Sequence, residues 1–212
     1  MITLQAITQL LLSLTLILGS QELTDSQKIE LSNQVIPQVE AYIKQETQLT
    51  LEKIVPEFVP DEYKKYIIEA SNHSKIPVET LSKLFKAENM NNWDVNLRGT
   101  ADKDDVGITQ LSPIAIREIT IQRGRYTGFF EQNFGEKFDI TKPRHQILGA
   151  AVYLNYLKQF ALPNEGVNNP ELRDILLSYN LGAKGYSMVK LEGIDYRYLR
   201  YEKLLREYEV IN

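Results

Sequence analysis

Apolar side chains recur along the chain at intervals of three and four residues, without convincing stretches of strict alternation, and this predicts a mainly α protein. From Asp61 onward helix follows helix. A short one covers 63–71. A second starts near Pro77 and runs to about Met90, with the proline in its first turn and Glu79 near the positive end of its dipole. Residues 91–111 form a long polar connection rich in Asp and Asn. Ser112 and Pro113 open a third helix as N-cap and first-turn proline, ending near Gly124. Thr141-Lys142-Pro143 opens a fourth, which passes Tyr156 and ends near Phe160. Asn169-Pro170-Glu171 opens a fifth, which Gly182 is suited to close in the left-handed conformation. A tyrosine-rich helix over 196–209 ends the chain.

The first 57 residues follow a different pattern. No charged side chain precedes Glu22, and 10–18 reads Leu-Leu-Leu-Ser-Leu-Thr-Leu-Ile-Leu before the small residues Gly19 and Ser20. Residues 1–20 therefore resemble the apolar core and cleavage region of a signal peptide, yet no Lys or Arg supplies a basic n-region. A membrane span needs ~20 predominantly apolar residues, and Gln5, Thr8, Gln9, Ser13 and Thr15 interrupt this one. An exported or membrane-inserting segment and a helix packed on protein both remain open. Residues 21–57 are polar, with Leu31, Val35, Val39, Tyr42 and Ile43 at helical spacing, a kink position at Pro37 and a break at Pro56 and Pro60. They read either as an accessory, docking helix or as an extra layer on the main core. The domain proper is expected over 58–212.

Charge sharpens this division. The whole net charge of −4 falls in 1–57, where seven acidic side chains face three lysines, while the remainder balances. No Lys/Arg-rich run appears, so a nucleic-acid partner is not expected. The absence of cysteine excludes disulfides and thiolate metal sites, and His73 and His145 alone leave a zinc site short of ligands. Asp102, Asp104 and Asp105 fall short of a calcium loop, because Val106 stands at a ligand position and no Glu follows at the twelfth. Phosphate loops and nucleophile elbows are absent.

Candidate chemistry begins at Glu88. Val78, Leu81, Leu84 and Phe85 form an apolar stripe at helical spacing, and Glu88 is the next member of that face. A carboxylate on an apolar face loses hydration, which holds its proton more tightly and suits it to act as a general acid. On periodicity alone, a glutamate that bends out to solvent is the commoner case.

Three further segments follow Glu88 in order: Gly107-Ile108-Thr109-Gln110-Leu111-Ser112-Pro113, Ile147-Leu148-Gly149-Ala150-Ala151-Val152-Tyr153-Leu154, and Leu177-Ser178-Tyr179-Asn180-Leu181-Gly182-Ala183. Together they resemble the signature of the lytic transglycosylases related to goose-type lysozyme. In that family a Glu-Ser ends the first core helix, followed by Gly-Leu-Met-Gln-(Leu/Ile)-x-Pro, a Gly-x-x-Tyr-Leu helix and Ala-Tyr-Asn-x-Gly. The likeness spans about Asp61 to Tyr208. It implies a lysozyme-like helical domain with a long polar loop, preceded by an N-terminal helical extension.

By this resemblance Glu88 is the single catalytic acid/base, and Gln110, Thr109, Tyr179 and Asn180 line the sugar cleft. Tyr201 or Tyr198 takes the place of the family tyrosine that contacts the catalytic Glu. Tyr179 is also expected to face inward on spacing alone, following Leu172, Ile175 and Leu176. This chain departs from the pattern at Asn89, where the family has Ser, and at Thr109, where it has Met. The loop from Glu88 to Gly107 is a few residues longer than typical, and the C-terminal Glu-Thr-x-x-Tyr-Val pattern is absent.

The implied activity is cleavage of the β-1,4 bond between N-acetylmuramic acid and N-acetylglucosamine in peptidoglycan, leaving 1,6-anhydro ends and needing no cofactor or metal. A goose-type muramidase is the nearest alternative, with Asp94, Asp102, Asp104 or Asp105 as second carboxylate. An inactive lysozyme-fold assembly protein of a virion or secretion apparatus is the third. Peptidoglycan glycan strands are the expected partner, and 1–57 the expected contact to a membrane or large assembly. Either placement suits the cell envelope, periplasm or wall, or a phage virion delivered to it.

Overall fold

In the computed structural model of the chain, residues 54–99, 104–121, 128–192 and 196–211 are described, with a few positions between 24 and 37. The chain divides between Lys53 and Ile54, a few residues before the break expected at Pro56 and Pro60. Expectations for 1–20 lie outside the described residues. In the 21–57 segment, the described positions from Asp25 to Pro37 are helical.

The second unit is mainly α, as the apolar spacing predicts. Its α-helices are α1 (Asp61–Ser74), α2 (Val78–Glu88), α3 (Pro113–Thr120), α4 (Phe129–Phe134), α5 (Pro143–Tyr156), α6 (Leu162–Asn164), α7 (Leu172–Glu192) and α8 (Tyr196–Glu207), with a π-helical segment, Leu157–Ala161, continuing α5 into α6. Among the described residues β-structure is limited to isolated bridges, Arg98 with Val106 and Val106 with Leu111. No described helix is long and apolar enough to cross a membrane.

Helix α5 is the centre of the unit. Every residue from His145 to Leu154 is buried, so its sequence Ile147-Leu148-Gly149-Ala150-Ala151 reads apolar all round rather than amphipathic. Helices α1, α3, α4 and α7 pack on it. Gly149 permits a close approach, since a Cβ there would stand 2.6 Å from the Phe138 ring. Arg144 joins the start of α5 to Glu69 of α1 at 3.0 Å and to Glu136. His145 completes that corner, reaching Glu136 at 3.1 Å and accepting a hydrogen bond from the Asp139 N–H at 2.9 Å.

Three boundaries differ from the sequence expectation. Helix α1 starts at Asp61 and extends to Ser74, where Lys75 (φ 60) turns left-handed and its N–H caps the Ser71 carbonyl. Helix α3 stops at Thr120, short of Gly124. Its Thr120 hydroxyl bonds back to the Ile116 carbonyl at 2.7 Å, and the chain returns so closely that a Cβ on Gly128 would lie 2.5 Å from the Thr120 oxygen. Helix α4 was not expected at all. At six residues it is too short for a periodic signal, and Gly135 (φ 69) ends it left-handed.

Gly182 does interrupt α7, but not as a left-handed cap. Its φ of 70 and ψ of 161 lie in a region essentially reserved for glycine. The helix then resumes, and Asp174 in its first turn accepts a hydrogen bond from Tyr186 beyond the kink.

Packing also makes one histidine pH-sensitive. The His73 ring lies 5.2 Å from Phe134, and its Nε2 is buried without a hydrogen-bond partner. Burial, aided by Lys75, holds its pKa below the usual imidazole value. The unfolded chain therefore binds the proton more tightly, so stability is complete above about pH 6.5 and declines as pH falls through that value. His73→Gln should flatten the slope of melting temperature against pH between about 7 and 5. Parallel slopes for variant and wild type would refute this.

Candidate active site

Leu81, Leu84 and Phe85 are fully buried on one face of α2, each contributing about 1.5–3 kcal/mol of burial. They fix the roll of the helix so that Glu88, in its last turn, emerges on that same side, half-buried. The Tyr201 hydroxyl of α8 donates to Glu88 Oε1. Burial, and the negative charge of Glu88, push the Tyr201 phenol well above its ordinary pKa, so it stays a donor at any physiological pH. Tyr198, the alternative partner, packs its ring near Tyr186 instead.

Beyond Glu88 the polar connection folds back as a tight loop. Val106 and Leu111 pair through both backbone bonds, at 3.1 and 3.2 Å, enclosing a turn from Gly107 to Gln110. Gly107 takes φ 79, and Gln110 itself has φ 48, a conformation its side-chain amide supports by donating to the Gly107 carbonyl at 2.7 Å. Tyr179 of α7 reaches across to this turn. Its hydroxyl donates to the Thr109 carbonyl at 2.8 Å, and burial, with Glu88 nearby, raises its pKa well above the usual value.

These elements enclose a cavity of about 330 Å³. Glu88, Gln110, Tyr179 and Asn180 all line it, so four of the six residues expected at the site meet there. Asp104, Asp105, Ser112 and Tyr153 complete the polar wall, while Leu111, Pro113, Ile114, Ala115 and Leu181 form the apolar one.

The other two expected residues stand behind the wall. Tyr201 touches Glu88 from its protein side. Thr109 corrects the expectation of a cleft residue. It is fully buried, and its hydroxyl donates to the Gln146 carbonyl at 3.2 Å, so it braces the turn rather than facing the cavity.

Sequence reasoning passed over Tyr153 and Ser112 as wall residues, reading them as a helix motif and an N-cap. Ser112 is also that cap, accepting from the Ala115 N–H at 3.1 Å. Asp94 is engaged in a local turn with the Asn96 N–H at 2.8 Å and does not line the cavity. Asp102 lies outside the described residues. Among the described residues no cluster of three His, Asp or Glu side chains is placed to hold a metal ion. No known family, characterised protein or solved structure matches the chain.

Proposed function

We propose that the unit 54–212 is a peptidoglycan lytic transglycosylase with Glu88 as its single acid/base. The observation that carries this reading is the convergence of Glu88, Gln110, Tyr179 and Asn180 on one cavity, with Tyr201 hydrogen-bonded to the carboxyl group. These residues lie far apart in sequence, and the family resemblance assigns each of them a part in one site.

The chemistry needs one proton held and returned. Glu88 gives its proton to the glycosidic oxygen as the bond to the muramic C1 breaks. The substrate's own acetamido oxygen stabilises the positive anomeric carbon. Glu88, now a carboxylate, takes the proton from the muramic 6-hydroxyl as that oxygen closes on C1, giving the 1,6-anhydro ring and restoring the acid. Tyr201 donates to the carboxylate between the two steps and keeps its position. Gln110 and Asn180 offer both donors and acceptors to sugar hydroxyl and acetamido groups, and the Tyr179 and Tyr153 side chains add wall surface.

One observation favours hydrolysis instead: Asp104 and Asp105 share the cavity with Glu88 and would orient a water as second carboxylate. The reading as an inactive assembly protein drew on the altered positions Asn89 and Thr109. Both make hydrogen bonds that hold the turn lining the cavity, which supports the enzymatic reading. A glycan-cleaving unit acts in a cell envelope, and residues 1–57 would deliver it there or attach it to a virion.

The first test is clearance of purified peptidoglycan. Wild-type protein should lower the turbidity of a sacculus suspension and release soluble fragments. An unchanged suspension, with folded protein added in excess, would end the proposal.

A further inference from the structure

The Gly107–Gln110 turn owes its position to two side-chain amides that no part of the functional reading assigns. Ile108 is gripped at both of its backbone polar groups. Its N–H donates to Gln146 Oε1 at 2.8 Å, and its carbonyl accepts from Asn89 Nδ2 at 2.9 Å. All three residues are at most 1% exposed, so water cannot substitute for either bond and a lost partner leaves a buried group unsatisfied.

Gln146 does more than hold Ile108. Its Nε2 donates to the Val95 carbonyl at 2.8 Å and to the Ile140 carbonyl at 2.6 Å. One amide thus ties together the polar loop, the catalytic turn and the approach to α5. Gly107 makes room for it, since a Cβ there would stand 2.0 Å from Gln146 Oε1. Asn89 reaches from the opposite side and directly follows Glu88 in the chain. Any slip of Ile108 therefore changes the spacing between the Glu88 carboxyl group and Gln110, and also moves the Thr109 carbonyl to which Tyr179 donates.

We propose that Asn89 and Gln146 are positioning residues, a two-sided amide clamp on Ile108 that sets the distance from Glu88 to Gln110 and Tyr179. This rests on the glycan-cleaving reading above. Neither side chain lines the cavity; both act through the turn.

The test uses Asn89→Ala and Gln146→Asn in the full chain, assayed on purified peptidoglycan at a temperature where circular dichroism shows each fully folded. Misplacement by about 1 Å costs on the order of 100-fold in rate. The expected result is therefore a fall in kcat of about that size, with KM changed by less than about threefold. A merely structural role would lower the melting temperature and leave kcat of the folded protein intact. In the wild type, the Gln146 side-chain amide protons should exchange with solvent about 100 times more slowly than those of an exposed glutamine. If a variant does not fold, unprotected Gln146 protons still overturn the clamp. Unprotected Gln146 protons, or folded variants with kcat within about twofold of wild type, overturn the clamp alone. A wild type without activity overturns the functional reading and the clamp with it.

Discussion

Glu88→Gln should abolish glycan cleavage while leaving the fold untouched. The amide has the size of the carboxyl group and still accepts the Tyr201 hydrogen bond, so packing at the end of α2 is preserved. What disappears is the transferable proton, and with it both halves of the proposed cycle. General acid–base catalysis is worth roughly 10²–10⁴-fold; in the proposed cycle one group performs both steps, so a loss toward the upper end, about 10⁴-fold, is expected. Melting temperature should stay within a few degrees of wild type, because a half-exposed carboxyl group exchanged for its isostere changes stability by about 1 kcal/mol or less. Residual cleavage at more than about a tenth of the wild-type rate would remove Glu88 from the chemistry.

Gly107→Ala should be the most damaging single substitution in the turn. Two independent costs meet there. At φ 79 a side chain is strained wherever it points. The added methyl would also overlap Gln146, whose nearest atom lies 2.0 Å away. That amide cannot retreat without giving up hydrogen bonds to Ile108, Val95 and Ile140. Overpacking of this kind costs about 1–3 kcal/mol, and a broken buried bond adds about 1–3 more. A loss of about 3–5 kcal/mol corresponds to a fall of roughly 10 °C or more in melting temperature for a domain this size. Thermal melting followed by circular dichroism measures it. By contrast Gly135→Ala, where nothing stands within 4 Å of the added atom, should cost only the strain at φ 69. Equal melting temperatures for Gly107→Ala and wild type would mean that the turn is not held against α5 as described.

Local periodicity made part of this architecture legible. The stripe Val78, Leu81, Leu84, Phe85 is enough to roll α2 and aim Glu88, because helical spacing alone decides which side chains share a face. The start signals at Ser112-Pro113 and Lys142-Pro143 likewise coincide with helix starts, since capping is chemistry between near neighbours. What escaped was set through space. Nothing near Gln146 in the sequence announces that its amide will meet Val95, Ile108 and Ile140. Thr109 sits inside a cleft motif, yet the turn points its hydroxyl at the Gln146 carbonyl and away from the cavity. Tyr198 and Tyr201 lie one helical turn apart, and only the packing of α8 gives Glu88 to Tyr201. The end of α3 and all of α4 escaped because their lengths answer to tertiary contacts, such as the approach of Gly128 to Thr120, rather than to propensity.

In the proposed cycle Glu88 alone cleaves the glycan strand, and the muramic 6-hydroxyl, not water, ends the reaction. Mass spectrometry of the soluble fragments from purified peptidoglycan tests both parts at once. The expected products are muropeptides lighter by one water than the hydrolysed species, carrying the anhydro ring, with none released by Glu88→Gln; this is the single-carboxylate mechanism. Fragments ending solely in reducing muramic acid would contradict it and favour hydrolysis.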